Sequence, residues 1–222
     1  MENELSNALI NSISGNICTI TTNIAEISLD SILKDGLLKD FPIVSTVVSL
    51  YKIGSSIKDR HDIRNLAAFV LAFNNGITDD EKKEHYKSVI NSDQKQRNRE
   101  LEYILILLDR YIHYDKAEML AKLYLAYLDG KIDWTTLAKA AEVLDRLLPS
   151  DYPELLNQCW PDLDDSDVPD SLLRLISLGL VISHSKGATV NNTVGSIVLP
   201  AEKKKDYELT GFGKTLLQYL SE

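Results

Sequence analysis

The sequence predicts a mainly α protein: a multi-helix bundle over residues 1–149 followed by a small α+β module over residues 150–222. Three observations carry that expectation. Apolar residues recur at spacings of three and four from Leu5 to Leu148, the period of a helix with one buried face. Cap and stop signals break this run repeatedly and leave only short loops, so consecutive helices are expected to lie antiparallel. Beyond Pro149 the character changes, with β-branched runs at Gly179–Ser183 and Ser196–Leu199.

Taken in order, Leu5, Leu9, Ile13, Ile17, Ile20, Ile24 and Ile27 form one helical stripe. No charge occurs from Leu5 to Ala25, whereas an exposed soluble helix carries Lys and Glu on its polar face. Such a face suits a helix covered on both sides, in a bundle or an oligomer. It also suits a helix lying in a lipid surface. Leu29 to Leu38 reads as a short helix or turn broken at Asp35-Gly36. Asp40 then caps and Pro42 fits the first turn of a helix from Phe41 to Lys58, because the first turn has no partner for a missing N–H. Lys52 is its only charge before Ile57. Asp62 opens a further helix, with Ile63, Leu66, Ala67, Phe69, Val70 and Phe73 apolar and Asn75-Gly76 as its stop.

Residues 1–75 are thus charge-poor, and residues 76–149 are charged. Thr78-Asp79-Asp80-Glu81 reads as a capping box for a helix to Ile90. A helix from Asp93 to Ile112 starts among solvated charges and ends in the apolar run Tyr103–Leu108. Asp115 is the expected cap of a helix to Leu128. Asp133 opens the last helix of the bundle, which Pro149 closes after Leu148.

In the tail, helical stretches at Tyr152–Cys159 and Val168–Leu178 precede Gly179-Leu180-Val181, a hairpin, Tyr207-Glu208-Leu209-Thr210 and a helix from Lys214 to Leu220. That order resembles a winged-helix domain over about the last seventy residues. The charges oppose the DNA binding such a fold invites. In the position of the recognition helix, Val168–Leu178, the only cation is Arg174. The acids Asp151, Glu154, Asp162, Asp164, Asp165, Asp167 and Asp170 precede it with no Lys or Arg among them. Duplex binders need several cations to displace counterions. Only Lys203, Lys204 and Lys205, expected at the tip of the wing, argue the other way. Asp162, Asp164, Asp165, Asp167 and Asp170 are therefore expected to face a basic protein partner.

Composition excludes several function classes. The 222 residues are 44% hydrophobic and 26% charged, the figures of an ordinary globular chain. A net charge of −9 with pI near 5.0 opposes an electrostatic grip on nucleic acid or anionic lipid. The acidic start Met1-Glu2-Asn3-Glu4 lacks the basic opening of a signal peptide, and no run of about 18 strongly apolar residues marks a membrane span. Cys18 and Cys159 match no ligand spacing and read as buried free thiols in a reducing cytoplasm.

Candidate chemistry is sparse. Asp129-Gly130-Lys131-Ile132-Asp133 resembles the middle of a calcium loop, but Leu125, Tyr127 and Thr136 then fall where side-chain ligands belong; it reads instead as a helix stop and the next helix cap. His61, His85, His113 and His184 show no zinc spacing, and His113 with Asp109, Arg110 and Asp115 reads as a helix end among surface charges. No phosphate loop or nucleophile elbow occurs. Tyr103, Tyr111, Tyr114, Tyr124 and Tyr127 are expected as half-buried packing, and Lys82, Lys83, Lys87, Lys95, Arg97 and Arg99 as a solvated face. No catalytic residue, cofactor, metal or small-molecule substrate is indicated.

The wording of residues 37–60 (Leu37-Leu38-Lys39-Asp40-Phe41-Pro42, Leu50-Tyr51-Lys52-Ile53-Gly54, Ile57-Lys58-Asp59-Arg60), with Tyr207-Glu208-Leu209-Thr210 and Phe212-Gly213, resembles uncharacterised bacterial and prophage proteins of the abortive-infection alpha type. That resemblance implies a place among phage-defence proteins and assigns no residue a role. The expected function is that of a non-enzymatic cytoplasmic protein that self-associates or docks a protein partner. One alternative is a membrane-perturbing effector, peripheral to the membrane through its N-terminal helices. A second is a winged-helix transcriptional regulator.

Overall fold

A computed structural model describes residues 8, 11–12, 57–77, 79–158, 160, 163, 167–185 and 205–221. The chain divides into two compact units, Met1–Asp145 and Arg146–Glu222. It is mainly helical, with a small two-stranded antiparallel sheet near the C-terminus.

In the first unit, α1 (Ile57–Asn75) is one continuous helix, so the expected break between Lys58 and Asp62 does not occur. No Gly or Pro interrupts this stretch, and a run of charges alone does not stop a helix. Its apolar girdle is fully used: Ile63, Ala67, Ala68, Phe69, Val70 and Phe73 have no exposed surface. α2 (Asp80–Ser92) is capped by Asp79, whose carboxylate accepts from the Lys82 N–H at 2.8 Å. The cap therefore stands one residue beyond the expected Thr78, and Lys82 rather than Glu81 falls at the third helical position. α3 (Gln94–Arg110) is capped in the same way by Asp93 on Gln96 N–H.

α4 (Tyr114–Leu128) has His113 at its N-cap without a side-chain bond, and the expected cap Asp115 lies inside the first turn. α1 packs most closely on α4 and also on α3. Phe69, Phe73 and Tyr124 pack at 6.0–6.4 Å between centroids, the two phenylalanines stacked and Tyr124 tilted against both, with Tyr86 against Phe73. The buried Asn65 of α1 donates Nδ2–H to the carbonyls of Leu108 (2.8 Å) and Tyr111 (2.6 Å). It thereby satisfies orphan carbonyls at the end of α3. Gly76 ends α1 where a Cβ would lie 2.3 Å from Leu125 Cδ1, so a side chain at this stop would have to displace Leu125 of α4.

Asp129-Gly130 is a helix stop. Gly130 has φ +70°, its N–H reaches Tyr127 O, and Lys131 N–H reaches Ala126 O, the paired bonds of a Schellman ending. Asp133 then caps α5 (Trp134–Arg146) through Thr136 N–H at 2.7 Å. α5 stops at Arg146, two residues short of the expected Leu148. The buried Lys116 donates Nζ–H to Asp145 O at 2.8 Å, and burial lowers its ammonium's affinity for the proton. Of the N-terminal stripe, Leu5, Leu9, Ile13, Ile17, Ile20, Ile24 and Ile27 lie outside the described residues, as does Phe41–Lys58 up to residue 56. Ala8, Asn11 and Ser12 are helical, and Ala8 and Ser12 are buried.

The second unit starts with a 3-10 turn, Pro149–Asp151, and α6 (Tyr152–Asn157). α7 (Asp170–Ser177) ends on Gly179 at φ +71°, with Gly179 N–H on Ile176 O and Leu180 N–H on Leu175 O. β1 (Val181–Ser185) pairs antiparallel with β2 (Lys205–Leu209), Val181 opposite Leu209 and Ser185 opposite Lys205. β1 thus lies two residues later than the expected Gly179–Ser183, because Gly179 is spent on ending α7. Leu163 bridges Lys205 from the other side. Lys205 is therefore the first described residue of β2, with its N–H and C=O both bonded to Leu163 and Ser185 opposite it on the other edge, and not at a hairpin tip. Lys203, Lys204 and Ser196–Leu199 lie outside the described residues.

α8 (Gly211–Ser221) opens three residues before the expected Lys214. Thr210 caps it: its Oγ1 accepts from Gly213 N–H at 2.9 Å and donates to Gly179 O at 2.8 Å. At Gly213 a Cβ would lie 2.2 Å from Leu180 O, so only glycine lets α8 pass this close to the start of β1. The wording Leu209-Thr210-Gly211-Phe212-Gly213 is thereby a joint between helix and sheet.

Candidate functional site

Two arginine–carboxylate clusters, one in each unit, are the main polar constructions among the described residues. In the C-terminal unit, Asp151 is fully buried at the N-cap of α6, yet its side chain caps nothing. It takes a fork from α7 instead, with Arg174 Nε–H on Oδ2 at 2.9 Å and Nη2–H on Oδ1 at 2.6 Å. That two-point geometry is the strong form of the pair. The Arg174 hydrogen bonds hold the Asp151 carboxyl below the usual carboxylate range.

Asp170, Leu173 and Ser177 are left on the outward side of α7, with Leu173 51% exposed. Asp167 and Asp170 are both exposed, whereas Asp162, Asp164 and Asp165 lie outside the described residues. Leu148, Leu156 and Ile182 of the same unit are also exposed large apolar side chains. On the sheet, His184 Nε2 and Glu208 Oε1 are 2.9 Å apart.

In the helical unit, Glu100 is buried and accepts three hydrogen bonds. They come from Gln96 Nε2–H at 2.8 Å, Tyr127 Oη–H at 2.8 Å, and Arg97 Nη1–H. Arg97, only 8% exposed, also lies over the Tyr127 ring at 5.1 Å. It is not part of a solvated face: the i,i+3 partner Glu100 and the aromatic ring compensate its charge and let it bury. Tyr111 and Tyr124 are likewise fully buried rather than half-buried.

Tyr103, Tyr127 and Trp134 are half-buried and meet edge to face, with Trp134 5.7 Å from Tyr103 and 5.5 Å from Tyr127. Tyr103 Oη–H donates to Glu142 Oε1 at 3.1 Å. Burial and these carboxylates push both phenols up, so they stay protonated donors.

The histidines are dispersed. His61 Nε2 lies 2.6 Å from Tyr111 O, and His85 Nε2 lies 3.3 Å from Leu128 O. Arg110, one of the residues near His113 in sequence, pairs with Asp145 across the bundle. Among the described residues no group of three or more His, Cys, Asp or Glu is arranged to hold a metal ion. Among them no helix is long and apolar enough to cross a membrane. The arrangement offers fixed charges, aromatic faces and an acidic, partly apolar helix surface, which are means of recognition. Sequence reasoning missed both clusters, although Arg97 and Glu100 at helical spacing were a usable signal; Asp151 and Arg174, 23 residues apart, left none.

Compared with protein-family models, with curated proteins and with solved structures, the chain matches none.

Proposed function

We propose that the protein is a non-enzymatic interaction protein whose helical unit self-associates or binds a partner and whose C-terminal unit docks a protein surface. The observation that carries this reading is the Arg174 fork. It neutralises the one cation of α7, whose side chain stays partly exposed, while Asp170, Leu173 and Ser177 stand exposed on the same helix.

The C-terminal unit reads as a winged-helix variant. Supporting this are the order α6, Leu163, α7, β1, β2 and the position of β2 between Leu163 and β1. A DNA-reading helix-turn-helix joins its helices by a turn of about three or four residues, whereas residues 158–169 separate α6 from α7. A duplex presents one charge per ~1.7 Å of axis, and this face would meet it with carboxylates. The burial of Ala8 and Ser12 favours N-terminal helices covered by protein over helices that meet lipid. The resemblance of residues 37–60 and 207–213 to abortive-infection alpha-type proteins adds a role in phage defence.

Molar mass of the full chain, measured over a concentration series with and without mild detergent, tests the reading beside a duplex titration at low salt. The expected result is an oligomer whose mass ignores detergent, with no duplex binding. Salt-dependent duplex binding by a monomer, weakened when Lys203, Lys204 and Lys205 are neutralised, would overturn it in favour of a regulator. A mass that changes with detergent, together with leakage from liposomes, would overturn it in favour of a membrane effector. For the defence role, the expected result is lower phage plating on cells that express the chain.

A further inference from the structure

Glu142 and the aromatic rings beside it have a use that packing does not exhaust. The carboxylate is half-buried and accepts from Tyr103 Oη–H at 3.1 Å, and among the described residues no ion pair closes on it. Arg110, two turns along the helix from Tyr103, is taken by Asp145. Glu100, the other carboxylate of this region, is already neutralised by Arg97. A carboxylate that forms no ion pair among the described residues therefore sits at the rim of an aromatic group.

The rings themselves are set for a cation. Tyr103 and Trp134 meet at 68° and Trp134 and Tyr127 at 63°. An edge-to-face pair makes a right-angled corner whose two walls are π faces, the negative part of each ring's quadrupole. All three rings are partly exposed, and the Trp134 indole N–H makes no hydrogen bond within the described residues. The carboxylate acceptor at the rim favours a cation that carries N–H donors over a fully methylated one. A planar guanidinium can stack on one wall while its N–H groups reach Glu142 Oε2, which an ammonium does less well. Twice in the same unit a tyrosine ring already holds a guanidinium, Arg97 over Tyr127 at 5.1 Å and Arg64 over Tyr114 at 4.1 Å.

We propose that Tyr103, Trp134 and Glu142 form a receptacle for an arginine side chain of a protein partner. The site is independent of how the C-terminal unit docks, and it stands or falls separately from the oligomeric state.

The test is a titration of the full chain with acetyl-Gly-Arg-Gly-amide, followed by the indole N–H signals of its two tryptophans. Trp160, buried with its Nε1–H on Glu154, belongs to the C-terminal unit and serves as the reference signal that the peptide should leave unmoved. The urea midpoint of the helical unit reports whether the fold around the site is intact. The Trp134 signal is expected to shift saturably, with half-saturation on the order of millimolar for one such contact. The lysine peptide is expected to bind several-fold more weakly, and the neutral citrulline peptide not at all. Glu142→Gln, isosteric at a half-buried position, is expected to weaken the arginine peptide about tenfold. Equal shifts with citrulline, equal or tighter binding of lysine, no shift at tens of millimolar, or an unchanged affinity in Glu142→Gln with the helical unit's urea midpoint unchanged would each overturn the proposal. The citrulline comparison is made on the unaltered chain, so it decides even if the variant misfolds.

Discussion

Arg97–Glu100 in the helical unit and Asp151–Arg174 in the C-terminal unit are both arginine–carboxylate pairs, but they are closed in different ways. In the first, both partners are buried, sit one turn apart on α3, and share Glu100 with donors from Gln96 and Tyr127. In the second, the acid is wholly buried while the arginine side chain is 39% exposed, and the pair joins the N-cap of α6 to the middle of α7. The first pair is sealed, so its role is to tie α3 to α4 through Tyr127. The second has a surface consequence, because it decides which charge the outward side of α7 presents. A buried charge is stable only while its partner stays, and the two pairs differ in what their loss would expose.

The largest effect is expected from Glu100→Ala, which leaves Arg97 buried without its carboxylate. Breaking a buried pair costs about 3–5 kcal/mol, read as a lower urea midpoint for the helical unit. The double variant Arg97→Met, Glu100→Leu is expected to recover most of that loss, because an apolar pair of similar volume replaces both charges. If the double variant is as unstable as the single one, the cluster is specified by its hydrogen bonds rather than by its charge balance.

Asp151→Asn is the second test and is expected to cost about 2 kcal/mol, the loss of a charge-assisted bond. The pH dependence follows from the direction of its shift. The Arg174 hydrogen bonds hold the Asp151 carboxyl below its unfolded value. The contribution is therefore complete above the unfolded value of about 3.9 and is lost as pH falls through the lower folded value. Between neutral pH and about pH 2, unaltered protein and variant should converge in stability. A constant gap across that range would mean that Asp151 acts through packing and not through its charge. The same variant releases Arg174, so any gain in duplex binding would measure how far the fork suppresses it.

The two units were also legible to different depths. α1 to α5 were visible because their apolar periodicity, Asp caps and Asp129-Gly130 stop are local features that the structure uses locally. The errors were local as well: Lys58–Asp62 looked like a break, but charge does not end a helix without a geometric cause. Arg97 reads as solvated because α3 starts among charges, and the Tyr127 ring that covers it beside its partner Glu100 comes from 27 residues beyond Glu100. In the C-terminal unit the sequence places Gly179 in a strand, because its positive φ, needed to end α7, has no signature beyond glycine itself. Gly213 shows the reverse case: its place in Thr210-Gly211-Phe212-Gly213 was noticed as wording, whereas its cause is a carbonyl of Leu180 that only the folded chain brings near. The acidic tail was readable as composition, but the role of Asp151 was not, since an acid before a short helix reads as a cap.

That last point supplies the smallest and most discriminating comparison. Asp93 stands at the N-cap of α3 and accepts from Gln96 N–H at 3.1 Å, the cap duty that Asp151 does not perform for α6. Asp93→Ala is expected to cost about 1 kcal/mol and Asp93→Asn almost nothing, because an amide oxygen caps as well as a carboxylate. Asp151→Asn should not be forgiven in this way, because an amide cannot take a two-point guanidinium fork with full charge. Urea midpoints of the two Asn variants, measured side by side, therefore separate an aspartate kept for its oxygen from one kept for its charge. Equal losses at the two positions would mean that Asp151 is a cap after all and that Arg174 is held only at the surface.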